Sequence, residues 1–193
     1  MKCQPECKLI LDKLKNELPA KMYYHTIDHT LDVYTSGETI AKKEGINDSD
    51  LKLLLVAAIY HDAGYLVQNK NHEKYSCDIA RHYLPQFNYL TEEINRICDI
   101  IMATKIPQNP KSLLEKIICD ADLDYLGRTD FFTIGDKLYR ELLAFGKLKN
   151  EEEWNTIQLK FLKRHHYFTS TSIQLRQLQK EKNIKIIQSK IKG

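Results

Sequence analysis

The stretch Ile59-Tyr60-His61-Asp62-Ala63-Gly64 decides how the rest of the chain is interpreted. It completes a strongly apolar run that starts at residue 53 and predicts a buried helix. An imidazole beside a carboxylate is costly to bury unless something compensates both, and a divalent cation does so. Adjacent helical residues point about 100° apart, so a shared ion requires a helix end, and Gly64 is a suitable stop. Taken alone, the dipeptide fits equally a histidine hydrogen-bonded inside an ordinary core.

Composition indicates one globular domain that needs no disulfides. The chain has 193 residues, of which 42% are hydrophobic and 28% are charged, which is enough for a sizeable core. The net charge of +3 gives no case for nucleic-acid binding. No signal-peptide pattern and no apolar run of about 18 residues is present, so no membrane contact is expected. The cysteines are odd in number and scattered, which favours reduced thiols and a cytoplasmic location; they are Cys3, Cys7, Cys77, Cys98 and Cys119.

An all-α fold class follows from the periodicity of the apolar residues and from the scarcity of residues that break helices. With 7 glycines and 5 prolines, long helices joined by short loops are expected. Apolar spacing predicts helices over 10–18, 25–44, 47–61, 73–83, 91–101, 113–121, 131–145, 153–166 and 172–180. We expect a single domain over 1–180 and a basic, solvated tail over 181–193. A short strand at 184–187 and a phosphate- or lipid-binding arm are the less favoured alternatives for that tail.

Imidazoles and carboxylates occur at four places that helices could bring together. His25 and His29 are four residues apart, which places them on one helix face. The others are His61-Asp62, the acidic run Asp120-Ala121-Asp122-Leu123-Asp124, and Asn71-His72-Glu73. Two imidazoles and two carboxylates would leave coordination positions for water. Such mixed donors suit Mn²⁺, Fe²⁺, Co²⁺, Ni²⁺ or Zn²⁺ better than Ca²⁺.

The order His29, then His61-Asp62, then Asp122 resembles the HD-domain superfamily of metal-dependent phosphohydrolases. Tyr24-His25-Thr26-Ile27-Asp28-His29 is also similar to a stretch of cyclic-nucleotide phosphodiesterases in which the second histidine binds metal and the first is the general acid. Ala121-Asp122-Leu123 resembles the surroundings of their last metal aspartate, which favours Asp122 over Asp120. The phrases at 24–29 and 120–127 look closest to small bacterial predicted phosphohydrolases, and the resemblance covers residues 22–130.

This resemblance implies an HD-type helical bundle with additional C-terminal helices, and it assigns roles to particular residues. One divalent transition metal (Mn, Fe, Co, Ni or Zn, with Mg as a further candidate) would bind His29, His61, Asp62 and Asp122. His25 would protonate the leaving oxygen, and Asp62 would also orient water. Glu73 would position water or support a ligand. Asp28 and Asp120 are expected to cap helices or support the ligands.

The chain also departs from parts of this family. Two-metal members carry further histidines before the last aspartate, whereas His72 and His82 do not have a recognised spacing, so one metal is favoured and two stay open. The acidic residues of guanosine-tetraphosphate hydrolases are absent, because Ala63 follows the pair. Lys74 and Arg128 are weak candidates for phosphate contacts.

The expected function is hydrolysis of a phosphoester or phosphoanhydride in a small, nucleotide-like molecule. An HD-type di-iron oxygenase and a non-catalytic nucleotide-binding sensor are the alternatives. No nucleic-acid partner is expected, and a homodimer is considered. His165-His166, beside basic residues at the end of a predicted helix, is interpreted as a surface or pocket rim.

Overall fold

The computed structural model describes residues 4–192, and these residues form nine α-helices and no β-strand. The helices are α1 (Pro5–Glu17), α2 (Ile27–Lys43), α3 (Asp48–Tyr60), α4 (His72–Tyr83), α5 (Thr91–Ala103), α6 (Leu113–Asp122), α7 (Phe131–Ala144), α8 (Glu151–Arg164) and α9 (Ser170–Lys192). The predicted all-α fold class is therefore confirmed. None of these helices combines the length and the apolar character that crossing a bilayer requires.

Helix α3 lies at the centre of the main core. Its N-terminus is capped by Asn47, whose side-chain oxygen accepts a hydrogen bond from the Asp50 N–H at 2.9 Å. Leu53, Leu54 and residues 56–60 are buried, so the helix is apolar on all sides, as expected for a helix enclosed by others. It packs against α1, α2, α4, α5 and α6. Its C-terminal end, which carries His61, is thereby placed inside the bundle.

The turn after α3 depends on a glycine. A 3₁₀ turn, Ala63–Leu66, follows the His61-Asp62 pair, so the predicted helix end at this pair is confirmed. The Gly64 N–H donates to Ser76 Oγ at 2.8 Å, and a Cβ on Gly64 would lie 1.9 Å from the His72 carbonyl oxygen. Only glycine therefore lets this turn approach the first turn of α4 so closely.

The expectation of a solvated tail or short strand after residue 180 is wrong, because α9 continues to Lys192. Asn183 and Ile187 are buried, and the Asn183 side-chain amide donates to the carbonyl oxygens of Leu126 and Arg128 at 3.0 and 3.1 Å. Lysines occupy the exposed faces of this segment and only a narrow face is buried. The sequence therefore shows little apolar periodicity there. The last helix is therefore part of the C-terminal packing and not a separate arm.

A second, smaller core joins the C-terminal helices to the turn after α6. Its buried members include Leu126, Phe131, Leu162 and Ile187. In the main core, Cys77, Cys98 and Cys119 are buried. Cys3 lies outside the described residues.

Candidate metal centre

The ends of three helices bring the predicted ligands together. His29 lies in the first turn of α2, His61 directly follows α3, and Asp122 is the last residue of α6. The His29 Nε2 atom lies 3.1 Å from Asp122 Oδ1 and 3.4 Å from His61 Nε2. The ligand atoms of these three side chains all lie within 4.8 Å of one another.

Asp62 contacts both imidazoles of this group. Its Oδ2 atom lies 3.2 Å from His61 Nε2 and 3.5 Å from His29 Nε2. The oxygen is buried and has no hydrogen-bond partner among the described residues. A buried carboxylate oxygen without a partner is unfavourable unless a cation lies beside it. The orientation of Asp62 thus fits a fourth ligand to a common ion.

The proton on His61 is placed away from the centre. Its Nδ1–H donates to the Ala58 carbonyl oxygen at 2.8 Å, so in the neutral ring the lone pair is on Nε2, which faces His29. A histidine that donates from one ring nitrogen to a backbone carbonyl while its other nitrogen is unprotonated is the usual arrangement of a metal ligand. His29, His61 and Asp122, with Asp62 beside them, therefore fit a divalent metal site.

The electrostatics of the cluster favour a positive charge among the carboxylates. Burial alone would lower the pKa of His61, but the charges of Asp62 and Asp122 outweigh it and raise that pKa well above its usual value. Burial likewise opposes ionisation of Asp62 and Asp122, yet the neighbouring histidines hold both carboxyl pKa values below their usual range. The carboxylates stay ionised, as metal ligands must.

His25 lies beside this cluster and is held by a carboxylate that the sequence analysis missed. Buried Glu141, from α7, accepts the Nδ1–H of His25, and its second oxygen accepts the backbone N–H groups of Tyr24 at 2.8 Å and His25 at 3.1 Å. Burial opposes the charge of Glu141, but the hydrogen bond and charge of His25, together with the two backbone N–H groups, outweigh it and lower the carboxyl pKa. His25 Nε2 is thereby turned toward the Tyr65 hydroxyl, 3.2 Å away.

His72 is a second group at the centre that sequence spacing did not identify. Its Nε2 atom lies 3.2 Å from Asp62 Oδ1 and 3.7 Å from Glu73 Oε1, and its ring stacks on Tyr65 with centroids 4.1 Å apart. Glu73 is buried. In the sequence, the position of His72 beside the candidate residue Glu73 could have indicated that it lies at the site. For Glu141, the sequence offered only a carboxylate within an otherwise apolar helix end.

Other predicted residues have different roles. Asp120 accepts the Phe168 and Thr169 backbone N–H groups, each at 2.8 Å, so it anchors the turn before α9. Arg128 is held by Asp32 at 2.7 Å and Asp130 at 2.6 Å. The remaining residues lie at the surface or at cavities. Asp28 and Lys74 are exposed. Arg128 and Lys137 line a cavity of about 300 Å³ that also includes His29. His165 and His166 line a second cavity.

Comparison with known proteins gives one family and several similar folds. The HD domain family model matches residues 26–124. Bacillus subtilis YpgQ, solved in complex with ADP, has 17% identity over 96% of each chain and a TM-score of 0.66. A protein from Lactobacillus plantarum has 19% identity over 98% of each chain and a TM-score of 0.66.

A third solved structure comes from an uncultured Thermotogales bacterium and is described as a predicted HD superfamily hydrolase. It has 21% identity, covers 82% of this chain and 88% of its own, and has a TM-score of 0.54. No curated protein matches the chain. At these identities the solved structures establish a shared fold.

Proposed function

This chain belongs to the HD domain family, and we propose that it is a metal-dependent phosphohydrolase that cleaves a phosphoester or phosphoanhydride bond of a nucleotide-like molecule. The observation that carries the proposal is the facing pair of ring nitrogens, His29 Nε2 and His61 Nε2, 3.4 Å apart. Beside them lies the buried, unpartnered Oδ2 of Asp62. Such a pair of imidazoles with carboxylates on both sides is what a divalent ion would organise.

His29, His61, Asp62 and Asp122 would hold one ion, for which Mn²⁺, Fe²⁺, Co²⁺, Ni²⁺ or Zn²⁺ suits the mixed donors better than Mg²⁺. When bound, such an ion supplies Lewis-acid chemistry: it polarises a phosphoryl oxygen and lowers the pKa of water. The protein itself holds these four side chains in place at the ends of three helices.

The His25–Glu141 pair fits the role of general acid. Because Glu141 accepts the Nδ1–H, Nε2 is the ring atom available to give a proton to the leaving oxygen. The carboxylate also balances the positive charge of the imidazolium before that transfer. Asp62 Oδ1 and His72, 3.2 Å apart, are positioned to orient the attacking water, with Glu73 supporting His72.

A nucleotide-like substrate is supported by two observations. The similar fold of YpgQ was solved with ADP, and Lys137 and Arg128 line the cavity that includes His29. The neighbouring Asp32 and Asp130 leave Arg128 little free charge, so Lys137 is the better phosphate contact. A di-iron oxygenase is not favoured, because the ligand atoms of His29, His61 and Asp122 all lie within 4.8 Å of one another, which suits a single ion. A non-catalytic sensor is not favoured either, because it would not need the His25–Glu141 pair.

The test is a turnover screen on protein purified without chelator. Elemental analysis is combined with assays on ATP, ADP, cyclic AMP and p-nitrophenyl phosphate, before and after EDTA treatment. We expect about one transition-metal ion per chain and EDTA-sensitive release of phosphate or pyrophosphate. The H61N variant should lose both, whereas H82N, at an exposed histidine, should behave like the unaltered protein. Metal-replete protein that turns over none of these compounds would overturn the proposal.

A further inference from the structure

Tyr65 contacts two histidines beside the metal centre. It lies in the 3₁₀ turn after α3, and its backbone N–H donates to the Asp62 carbonyl oxygen at 3.0 Å. Its ring stacks on His72 with centroids 4.1 Å apart, and it lies 4.4 Å, centroid to centroid, from the ring of His25. The residue is only 9% exposed. The backbone and the ring of Tyr65 are therefore both held in place, so its hydroxyl stays beside His25.

The Tyr65 hydroxyl occupies the hydrogen-bond direction of His25 Nε2. Each nitrogen of an imidazole makes one hydrogen bond in the plane of the ring, and the hydroxyl oxygen lies 3.2 Å from Nε2. The other nitrogen, Nδ1, is bonded to Glu141. Both ring nitrogens thus have protein partners, and a leaving oxygen cannot bond Nε2 directly while Tyr65 keeps its position.

A phenol hydroxyl can pass a proton on, because it accepts through its oxygen and donates through its hydrogen. Burial, followed by the charges of Asp62 and Glu141, raises the pKa of the Tyr65 hydroxyl. The hydroxyl therefore keeps its proton at neutral pH and lies within the electric field of the metal centre. It can bond His25 Nε2 whether that nitrogen is protonated or not, so the contact persists before and after a proton transfer.

We propose that Tyr65 is the catalytic residue that protonates the leaving oxygen, and that His25 supplies the proton through it. The Tyr65 O–H proton moves to the leaving oxygen while the His25 Nε2–H proton moves to the Tyr65 oxygen. The bond between phosphorus and the leaving oxygen breaks, and its electron pair stays with that oxygen. Tyr65 ends as a neutral phenol, and His25 ends neutral with its Nδ1–H on Glu141. The inference rests on the proposed function.

Removing the hydroxyl while keeping the ring tests this route. Y65F retains the stack on His72, and the control is Y83F, at the last residue of α4, about 16 Å along that helix from His72. Metal-replete proteins are compared on phenyl phosphate, whose leaving oxygen needs a proton, and on p-nitrophenyl phosphate, whose leaving group is stable as an anion. Esters of the same two phenols with thymidine 5′-phosphate serve if the chain accepts only nucleotides.

The two esters should respond differently to the loss of the hydroxyl. We expect Y65F to lower kcat on the phenyl ester about 100-fold, as for the loss of general acid catalysis. Its kcat on the p-nitrophenyl ester should be nearly unchanged, because that leaving group departs without a proton. Y83F should match the unaltered protein on both esters. A merely structural role of Tyr65 would instead lower both rates by the same factor.

A double variant separates a relay from two independent proton donors. If the proton travels from His25 through Tyr65, H25N should show the same loss on the phenyl ester. Y65F/H25N should then lose no more than either single variant, because removing one member already stops the transfer. Losses that multiply, an unaltered kcat of Y65F on the phenyl ester, or equal losses of Y65F on both esters would overturn the inference and leave the phosphohydrolase proposal standing. Absence of metal-dependent turnover by the unaltered protein would overturn both.

Discussion

Replacing Glu141 by glutamine tests how the protein controls the proton on His25. The buried carboxylate accepts three N–H groups, two from the backbone of residues 24 and 25 and one from His25 Nδ1. A carboxamide has one oxygen, which can keep the two backbone donors, while its NH₂ then faces Nδ1. Since two donors cannot bond each other, His25 must place its proton on Nε2. The substitution thus reverses the tautomer with little change in shape.

The expected size of the effect follows from these three hydrogen bonds. Bonds to a charged acceptor contribute about 1.5–3 kcal/mol and neutral ones about 0.5–1.5 kcal/mol, but a neutral amide is also easier to bury. We therefore expect E141Q to unfold about 1–3 kcal/mol more easily. Loss of a correctly oriented general acid should lower kcat about 100-fold, while metal content should not change.

The contribution of the Glu141 charge to the stability of the fold depends on pH. Because folding lowers its carboxyl pKa, the charged group contributes stability above its ordinary pKa, about 4.3, and that contribution is lost as the pH falls through the folded value. The stability difference between E141Q and the unaltered protein should therefore shrink in acid.

The assays are urea unfolding, steady-state kinetics on a hydrolysed nucleotide, and long-range ¹H–¹⁵N NMR of the histidine rings, which reports which nitrogen carries the proton. The exposed Glu152 provides the matched control E152Q. A His25 tautomer and a kcat that are unaltered in E141Q would refute the reasoning, because the carboxylate would then have no role in placing the proton.

Three further outcomes are expected. D122N removes the charge of a candidate ligand, so metal binding measured by elemental analysis after gel filtration should weaken more than about tenfold. E44Q loses the charge that accepts the Thr171 N–H at 2.8 Å at the start of α9 and should unfold about 0.5–2 kcal/mol more easily at neutral pH. Hydrogen bonding from the first residues of α9 lowers the pKa of Glu44. The difference in stability between E44Q and the unaltered protein should therefore vanish in acid. G64A should destabilise the fold by at least about 3 kcal/mol, since the added Cβ would meet backbone at 1.9 Å. G37A, whose Cβ would lie at an ordinary 3.7 Å, should be neutral or up to about 1 kcal/mol more stable.

For each of these three predictions, a specific result would contradict it. D99N, at an exposed aspartate on α5, should keep its metal, and equal retention by D122N would exclude that residue as a ligand. A stability loss in E44Q that persists below the glutamate pKa would show that charge is not its cause. Equal stability of G64A and G37A would contradict the close packing of the turn after α3 on α4.

The sequence by itself determined the helices and the membership of the candidate centre. Apolar periodicity and the cap at Asn47 located the helices, and the HD family predicted at 22–130 agrees with the family match at 26–124. The residues His29, His61, Asp62 and Asp122 could be named because motif neighbours occur close to them along the chain. These signals come from residues that are close together in the sequence, so they can be recognised without the tertiary structure.

Only the tertiary structure decided which helices meet. Glu141 contacts His25 across 116 residues of sequence, and His72 lies 3.2 Å from Asp62. Periodicity shows which face of a helix is apolar, but it does not show which other helix covers that face. A contact made by one side chain across helices leaves no repeating pattern, so the carboxylate that places the proton on His25 and the packed end of α9 became visible only once the helices were in place.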